Sequence, residues 1–152
     1  MVSRYEVVPE NTQLFSRLFA ADLDPKTSVI LEQAPNIPLA HLAGSARTEV
    51  LEYKEQKIVI KTTASDPAIL VITDTFYPGW QATIDDQPAH IYRANYALRA
   101  IVVPAGSHTV RVTYNPFSLK LGVGFSLASG ALFLILALIK YPQPDSNRRF
   151  TG

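Results

Sequence analysis

Residues 121 to 139 form a run of nineteen residues without one charged, amide or imidazole side chain, closed by Lys120 on one side and Lys140 on the other. As a helix the run spans about 28 Å, close to the hydrocarbon thickness of roughly 30 Å. The competing reading is a buried helix of a soluble core. A soluble helix normally keeps a polar stripe, whereas here Leu, Val, Ile and Phe surround the axis. Gly122, Gly124 and Gly130 would each cost a water-exposed helix roughly 1 kcal/mol, yet small residues are common in membrane spans. The pattern predicts a transmembrane helix over 116–141. Asn115 is expected as its N-cap and Pro116 as its first helical residue, while Pro142 and Pro144 prevent continuation past Tyr141.

The flanks suggest an orientation. Lys120 can snorkel to the headgroups, and Tyr114, Phe117 and Tyr141 sit where interfacial aromatics belong. Lys140, Arg148 and Arg149 against Asp145 leave the tail at +2, while residues 1–119 hold ten basic and twelve acidic groups, a net −2. The positive-inside rule then places the tail, 142–152, in the cytoplasm and residues 1–115 outside it. The opening residues, Met1 to Val8, hold no apolar signal core that would carry such a domain across a membrane ahead of its span. Gly122, Ser126 and Gly130 recur at i, i+4 and i+8, a stripe that admits close approach of another helix. Two readings stand for the stripe, a packing face for other transmembrane helices or the ordinary frequency of small residues in spans. Together these features lead us to expect a piece of a longer, polytopic protein.

The remainder reads as strands. Gln56 to Ala64 alternates, with Ile58 and Ile60 opposite Lys57, Val59 and Lys61. Ala68 to Thr73 is continuously apolar and suits a central strand covered on both faces. Trp80, Ala82 and Ile84 share a face, a turn at Asp86-Gln87-Pro88 leads into Ala89 to Arg93, and Tyr96, Leu98, Ala100 and Val102 share a face of the next strand. Pro104-Ala105-Gly106 is a turn, after which His108, Val110, Val112 and Tyr114 point one way. Such short runs predict a mainly β chain, an antiparallel β-sandwich over 47–115. Before it, residues 1–35 read as a strand-helix-strand unit packed on the sandwich, with strands at Tyr5–Val8 and Ser28–Glu32 and a helix over 12–21. Leu14, Phe15, Leu18 and Phe19 form that helix's apolar face. Residues 36–46 are the most linker-like stretch.

Chemistry is sparse. A formal charge of +1 argues against nucleic acid as a partner, and the absence of cysteine removes thiolate nucleophiles, thiolate metal sites and disulfides. There is no glycine-rich phosphate loop, no GxSxG elbow and no histidine pair at metal-ligand spacing, so no catalytic residue, metal site or cofactor is expected. His41, His90 and His108 are scattered and read as ordinary histidines. Asp22 with Asp24, and Asp85 with Asp86, read as solvated turns. One cluster stands out: Tyr77 and Trp80 in Asp74-Thr-Phe-Tyr-Pro-Gly-Trp80, with Arg93, Asn95 and Tyr96 in Tyr92-Arg-Ala-Asn-Tyr96. Aromatic faces beside Arg, Asn and Asp suit a glycan-binding surface. The stronger reading is structural: Trp80 shares a face with Ala82 and Ile84 as the core tryptophan of the sandwich, and Arg93 or Arg99 pairs with Asp74.

The stretch Ile72 to Asp86, then Ile91 to Ala100, Val103 to Val110 and Tyr114-Asn-Pro116, together resemble the C-terminal part of the YfhO family of bacterial integral membrane proteins. Arg4-Tyr-Glu-Val-Val8, Leu18-Phe, Asp24-Pro and Val29-Ile-Leu-Glu32 are similar to the segment preceding that sandwich. A departure falls at Asp86-Gln87, where the family typically has Asp-Gly, which puts the hairpin's turn type in doubt. The resemblance implies a longer parent that resembles GT-C-type glycosyltransferases using polyprenyl-phosphate-linked sugars, with its catalytic acidic residues in an early loop that this chain does not contain. The expected partners are the lipid bilayer, other transmembrane helices of the parent and an envelope glycan. On this reading the purified chain requires detergent: made without it, the polypeptide should elute as aggregate on size-exclusion chromatography. A monodisperse monomer would show residues 121–139 folded against their own strands.

Overall fold

The computed structural model describes residues 1–2, 4–9, 11–35 and 45–141. The expected linker up to residue 44, His41, and the tail with Pro142 and Pro144 lie outside the described residues. The chain divides into two units, residues 1–115 and 116–152.

The first unit is built around β10 (Gly106–Tyr114), which pairs antiparallel with β4 (Lys57–Ala64) on one side and β6 (Trp80–Ile84) on the other. Alternation turns Val110 and Val112 inward, and the register sets Val110 between Ile60 and Ile84 and Val112 between Ile58 and Ala82. β3 (Ala46–Lys54) and β7 (Gln87–Ala89) complete this sheet, in the order β3-β4-β10-β6-β7. The second sheet runs β1 (Arg4–Val7), β2 (Ser28–Leu31), β8 (Tyr92–Ala94), β9 (Leu98–Val103), β5 (Ala68–Thr75). The described residues are thus mainly β, with two five-stranded sheets and one long apolar helix.

Two strands carry two cores. Leu70 and Ile72 of β5, with Ile101 and Val103 of β9, join Ile58, Ile60, Ala82, Val110 and Val112 between the sheets. The alternate residues of the same strands, Ile69 and Ala100 among them, join Val2, Val29, Leu31, Tyr92 and Ala94 in a second core. The continuous apolar run at 68–73 therefore reflects burial on both faces, as expected, but β5 is not central. It is the outermost strand of its sheet, and beyond β9 its backbone partner is Val2, whose N–H donates to the Ile69 carbonyl at 2.9 Å. Val2 lies two residues before β1, the strand at the opposite edge, so this bridge ties the chain at one edge of the sheet to the strand at the other.

The strand-helix-strand unit is present, and its strands are parallel to each other and extend the second sheet. The helix α1 (Asn11–Leu18) is shorter than expected. Leu14 is fully buried against Val8 and Ile30, with Leu18 and Leu23 alongside, but Phe19 lies past the helix end, 81% exposed. Phe15 leaves that face to stack on Tyr96, ring centres 4.6 Å apart. Asp22 pairs with Arg17 at 2.7 Å, and the Asp24 carboxylate accepts the Lys26 N–H, so both carboxylates are engaged locally.

Four local features differ from expectation. The run Ala89–Arg93 is broken at His90-Ile91, because β7 and β8 belong to different sheets. Pro88 lacks an N–H to donate and is tolerated in β7 as an edge strand. Tyr96 lies in the turn between β8 and β9, with φ +71°, rather than in a strand. The hairpin turn is Asp85-Asp86, φ +49° and +66°, as a two-residue turn of the I′ kind demands, and Gln87 already lies in β7. β3 was not anticipated, since its side chains are mostly exposed and its alternation is weak.

The second unit contains α2 (Phe117–Lys140), which has no buried residue and is long and apolar enough to cross a membrane. Its N-cap is Pro116 rather than Asn115, because Pro116 keeps an extended ψ of 126° and helical backbone starts one residue later.

The left-handed turn residues have identifiable support. Asn95 exchanges backbone and side-chain bonds with one residue of β2: its N–H donates to the Ile30 carbonyl at 2.8 Å, and its Oδ1 accepts the Ile30 N–H at 2.9 Å. Asn95→Ala should lower the unfolding free energy by about 1–3 kcal/mol through the unpaired Ile30 N–H alone. Asn95→Gly restores only the backbone freedom, so denaturant titration should rank wild type above Gly above Ala.

Asp85 is held through its carboxylate, which accepts the Thr109 N–H at 2.8 Å and meets His108 Nδ1 at 2.6 Å. His108 Nε2 faces the Ala105 carbonyl at 3.0 Å, so both ring nitrogens face acceptors and only the imidazolium donates to both. The Asp85 hydrogen bond raises the His108 pKa, helped by the Ala105 carbonyl, and His108 in turn lowers that of Asp85. A raised histidine contributes stability that is complete below the unfolded value and lost as pH rises through the folded one. A lowered carboxylate contributes above its unfolded value and loses that contribution in acid. The loss of thermal midpoint in His108→Asn should therefore be largest at about pH 5.5 and shrink toward about pH 9. An offset constant across that range would show that the imidazolium is not what holds the turn.

Candidate functional site in the sheet-switching connections

Two of the connections that carry the chain from one sheet to the other lie together: Phe76 to Gly79, between β5 and β6, and His90-Ile91, between β7 and β8. They line one cavity of about 550 Å³, with Phe76, Tyr77, Pro78, Trp80, His90 and Ile91 among its walls. A second cavity of about 260 Å³ adjoins it through Phe76, His90 and Ile91, and adds Glu32, Gln33 and Arg93. The first is walled mainly by rings and aliphatic groups, while the second holds a carboxylate and a guanidinium.

The sequence folds this way for local reasons. A turn between β5 and β6 needs a left-handed residue at its end, which Gly79 provides at φ +107°, and the Gly79 carbonyl accepts the Asn115 N–H at 2.8 Å. Trp80 then opens β6 opposite Tyr114, ring centres 5.2 Å apart, and packs on the rim of the inter-sheet core. Behind it, the Arg99 guanidinium sits 4.0 Å from the Trp80 ring centre. Arg99 is only 2% exposed; it donates to Asp74 at 2.8 Å, and the Tyr53 hydroxyl donates to the same carboxylate at 2.8 Å. Burial pushes the Arg99 pKa down, against the Asp74 charge that pulls it up. A cation stacked on an indole with its counter-ion beside it fixes the ring plane, so Trp80 presents a set wall to the cavity.

Of the residues singled out by sequence, Tyr77 and Trp80 line the larger cavity, and Tyr77 is 61% exposed. Arg93 lines the smaller one, its guanidinium 5.8 Å from the Phe76 ring centre and 5.4 Å from that of Tyr96. Asn95 and Tyr96 line neither cavity. Asn95 Oδ1 is spent on Ile30, and Tyr96 lies between Phe15 and Arg93. Trp80 belongs both to the core rim and to the cavity wall, and it is Arg99 that pairs with Asp74. Sequence reasoning missed Glu32 and passed over His90. Phe76 lay inside the aromatic motif and could have been included, but only the pairing of Leu31 with Ala94 brings Glu32 to Arg93. In α2, a Cβ added at Gly122 or Gly130 would meet nothing within 4 Å, and Ser126, between them in the stripe, is exposed.

No curated protein and no solved structure matches the chain. The sequence profile described as bacterial membrane protein YfhO matches residues 39–126, more than half of the chain. The match takes in β3 to β10, the walls of the larger cavity and the first part of the apolar helix. With one helix fit to cross a bilayer and this match running into it, the chain is a membrane protein that belongs to the YfhO family.

Proposed function

We propose that residues 1–115 are a non-catalytic, extracytoplasmic domain of a YfhO-like envelope glycosyltransferase, anchored by α2 with its C-terminus in the cytoplasm. Glycosyl transfer from a polyprenyl-phosphate-linked sugar is the task of other parts of the parent protein, and this domain positions the acceptor glycan. The observation that carries the reading is the larger cavity, where Tyr77 stands exposed beside the fixed ring of Trp80. Aromatic faces of this kind stack on the apolar faces of sugar rings, while polar groups at the rim take the hydroxyls. The charge difference across the span supports the orientation. Only Asn115 and Pro116 separate β10 from α2, so the domain is held on a short tether. A membrane-tethered carbohydrate-binding module would use the same cavity; a purely structural brace for neighbouring helices would use the open stripe at Gly122, Ser126 and Gly130 instead.

Trp80 is the only tryptophan, so its emission reports on the cavity directly. Titrating the full chain, in a detergent without a sugar headgroup, with neutral trisaccharides such as cellotriose and maltotriose should give a saturable change in emission. Tyr77→Ala should abolish it, and Tyr96→Ala should leave it saturable. No response to either sugar would favour the brace. The chain also lacks cysteine, so single-cysteine variants report orientation in intact cells. An impermeant maleimide should label Ser65→Cys and spare Thr151→Cys; the reverse pattern would invert the proposed topology.

A further inference from the structure

Ion pairs in this protein are short, with one exception. Among the described residues, every pair but one closes to 2.8 Å or less, including Arg17 with Glu6 and Arg99 with Asp74. Arg93 Nη1 and Glu32 Oε1 stay 3.5 Å apart and form no hydrogen bond. That distance is well beyond the 2.7–2.9 Å of a charge-assisted hydrogen bond. Glu32 Oε1 and Arg93 Nε have no hydrogen-bond partner among the described residues, and both side chains are only partly exposed. This loose pair also lines the smaller chamber adjoining the aromatic one.

Both side chains are anchored at their bases. Arg93 is held over Phe76 and Tyr96, and the Glu32 backbone N–H is tied to the Arg93 carbonyl across the β2–β8 pairing, so the two side chains start from fixed points. A carboxylate only accepts and a guanidinium only donates. A ligand group that serves both must donate and accept at once while carrying no net charge, because an anion is opposed by Glu32 and a cation by Arg93. Neighbouring hydroxyls on one ring meet those terms: one donates to the carboxylate while the other accepts from the guanidinium.

We propose that Glu32 and Arg93 form a second subsite that binds the vicinal hydroxyls of an uncharged sugar residue, next to the residue stacked in the Tyr77–Trp80 cavity. The inference depends on the glycan reading of that cavity and adds Glu32, a residue outside the family-matched region, to the binding surface.

Isothermal titration calorimetry of the full chain with cellotriose and maltotriose, in the same sugar-free detergent, tests it. Glu32→Gln keeps the shape and removes the charge, and should weaken binding of the better trisaccharide at least 10-fold, as should Arg93→Gln. Wild type should prefer the neutral sugar to a trisaccharide bearing glucuronic acid, and Glu32→Gln should reverse that order, since only the guanidinium then remains. Should Arg93→Gln lower the thermal midpoint, Glu32→Gln decides alone. If both variants bind the neutral sugar within 2-fold of wild type while Tyr77→Ala does not bind, the subsite is refuted and the aromatic cavity stands. If wild type binds neither sugar, the subsite and the glycan reading fall together.

Discussion

Burial of β5 and β9 on both faces is the constraint on which the fold of residues 1–115 depends. Leu70 and Ile101 face the inter-sheet core, while Ile69 and Ala100, one step along each strand, face the second core. Each such Ile or Leu side chain contributes about 1.5–3 kcal/mol by leaving water. A one-residue slip of either strand would exchange the two sets, so the register of the pair fixes both cores together. The Val2–Ile69 bridge and α1 on Ile30 are attachments to that frame.

The cavities follow from it. A chain that builds two facing sheets and passes between them more than once must leave the sheets at connections without ladder partners. Here two such passages, one carrying Phe76 and Tyr77 and one carrying His90 and Ile91, border the same space. Arg99 projects from the doubly buried strand and fixes Trp80 at the margin of that space. The candidate site is thus made of parts whose first duty is to the fold, and only Tyr77 stands well clear of it.

Legibility in the sequence followed periodicity. The alternation of Val110 and Val112 against Thr109, Arg111 and Thr113 gave β10, and the nineteen-residue apolar run gave α2 to within a residue or two. A continuous apolar stretch at 68–73 announced burial on two faces but held no information on the strand's place in the sheet, which pairing alone decides. β3 escaped because an exposed edge strand needs no apolar alternation. The turns at Asp85-Asp86 and Asn95-Tyr96 lack glycine, so their left-handed backbone was hidden behind residues that also suit strands or open loops. Glu32 was invisible for a different reason: its meeting with Arg93 is a product of tertiary pairing, and neither residue carries a local signal of the other.

The pairing of β2 with β8 also bears on how the chain matures. Ile30 and Asn95 are 65 residues apart, and the second core needs strands from both ends of that interval. Closing so large a loop is slow, and although β1 and α1 precede β2, Val29 and Leu31 emerge from synthesis before Tyr92, Ala94 and Ala100, their later partners in the second core. Until β8 and β9 follow, Val29 and Leu31 present a sticky apolar strand to whatever surrounds the nascent polypeptide. A chain halted before β8 therefore leaves the second core without Tyr92, Ala94 and Ala100, whatever β1 and α1 have already covered.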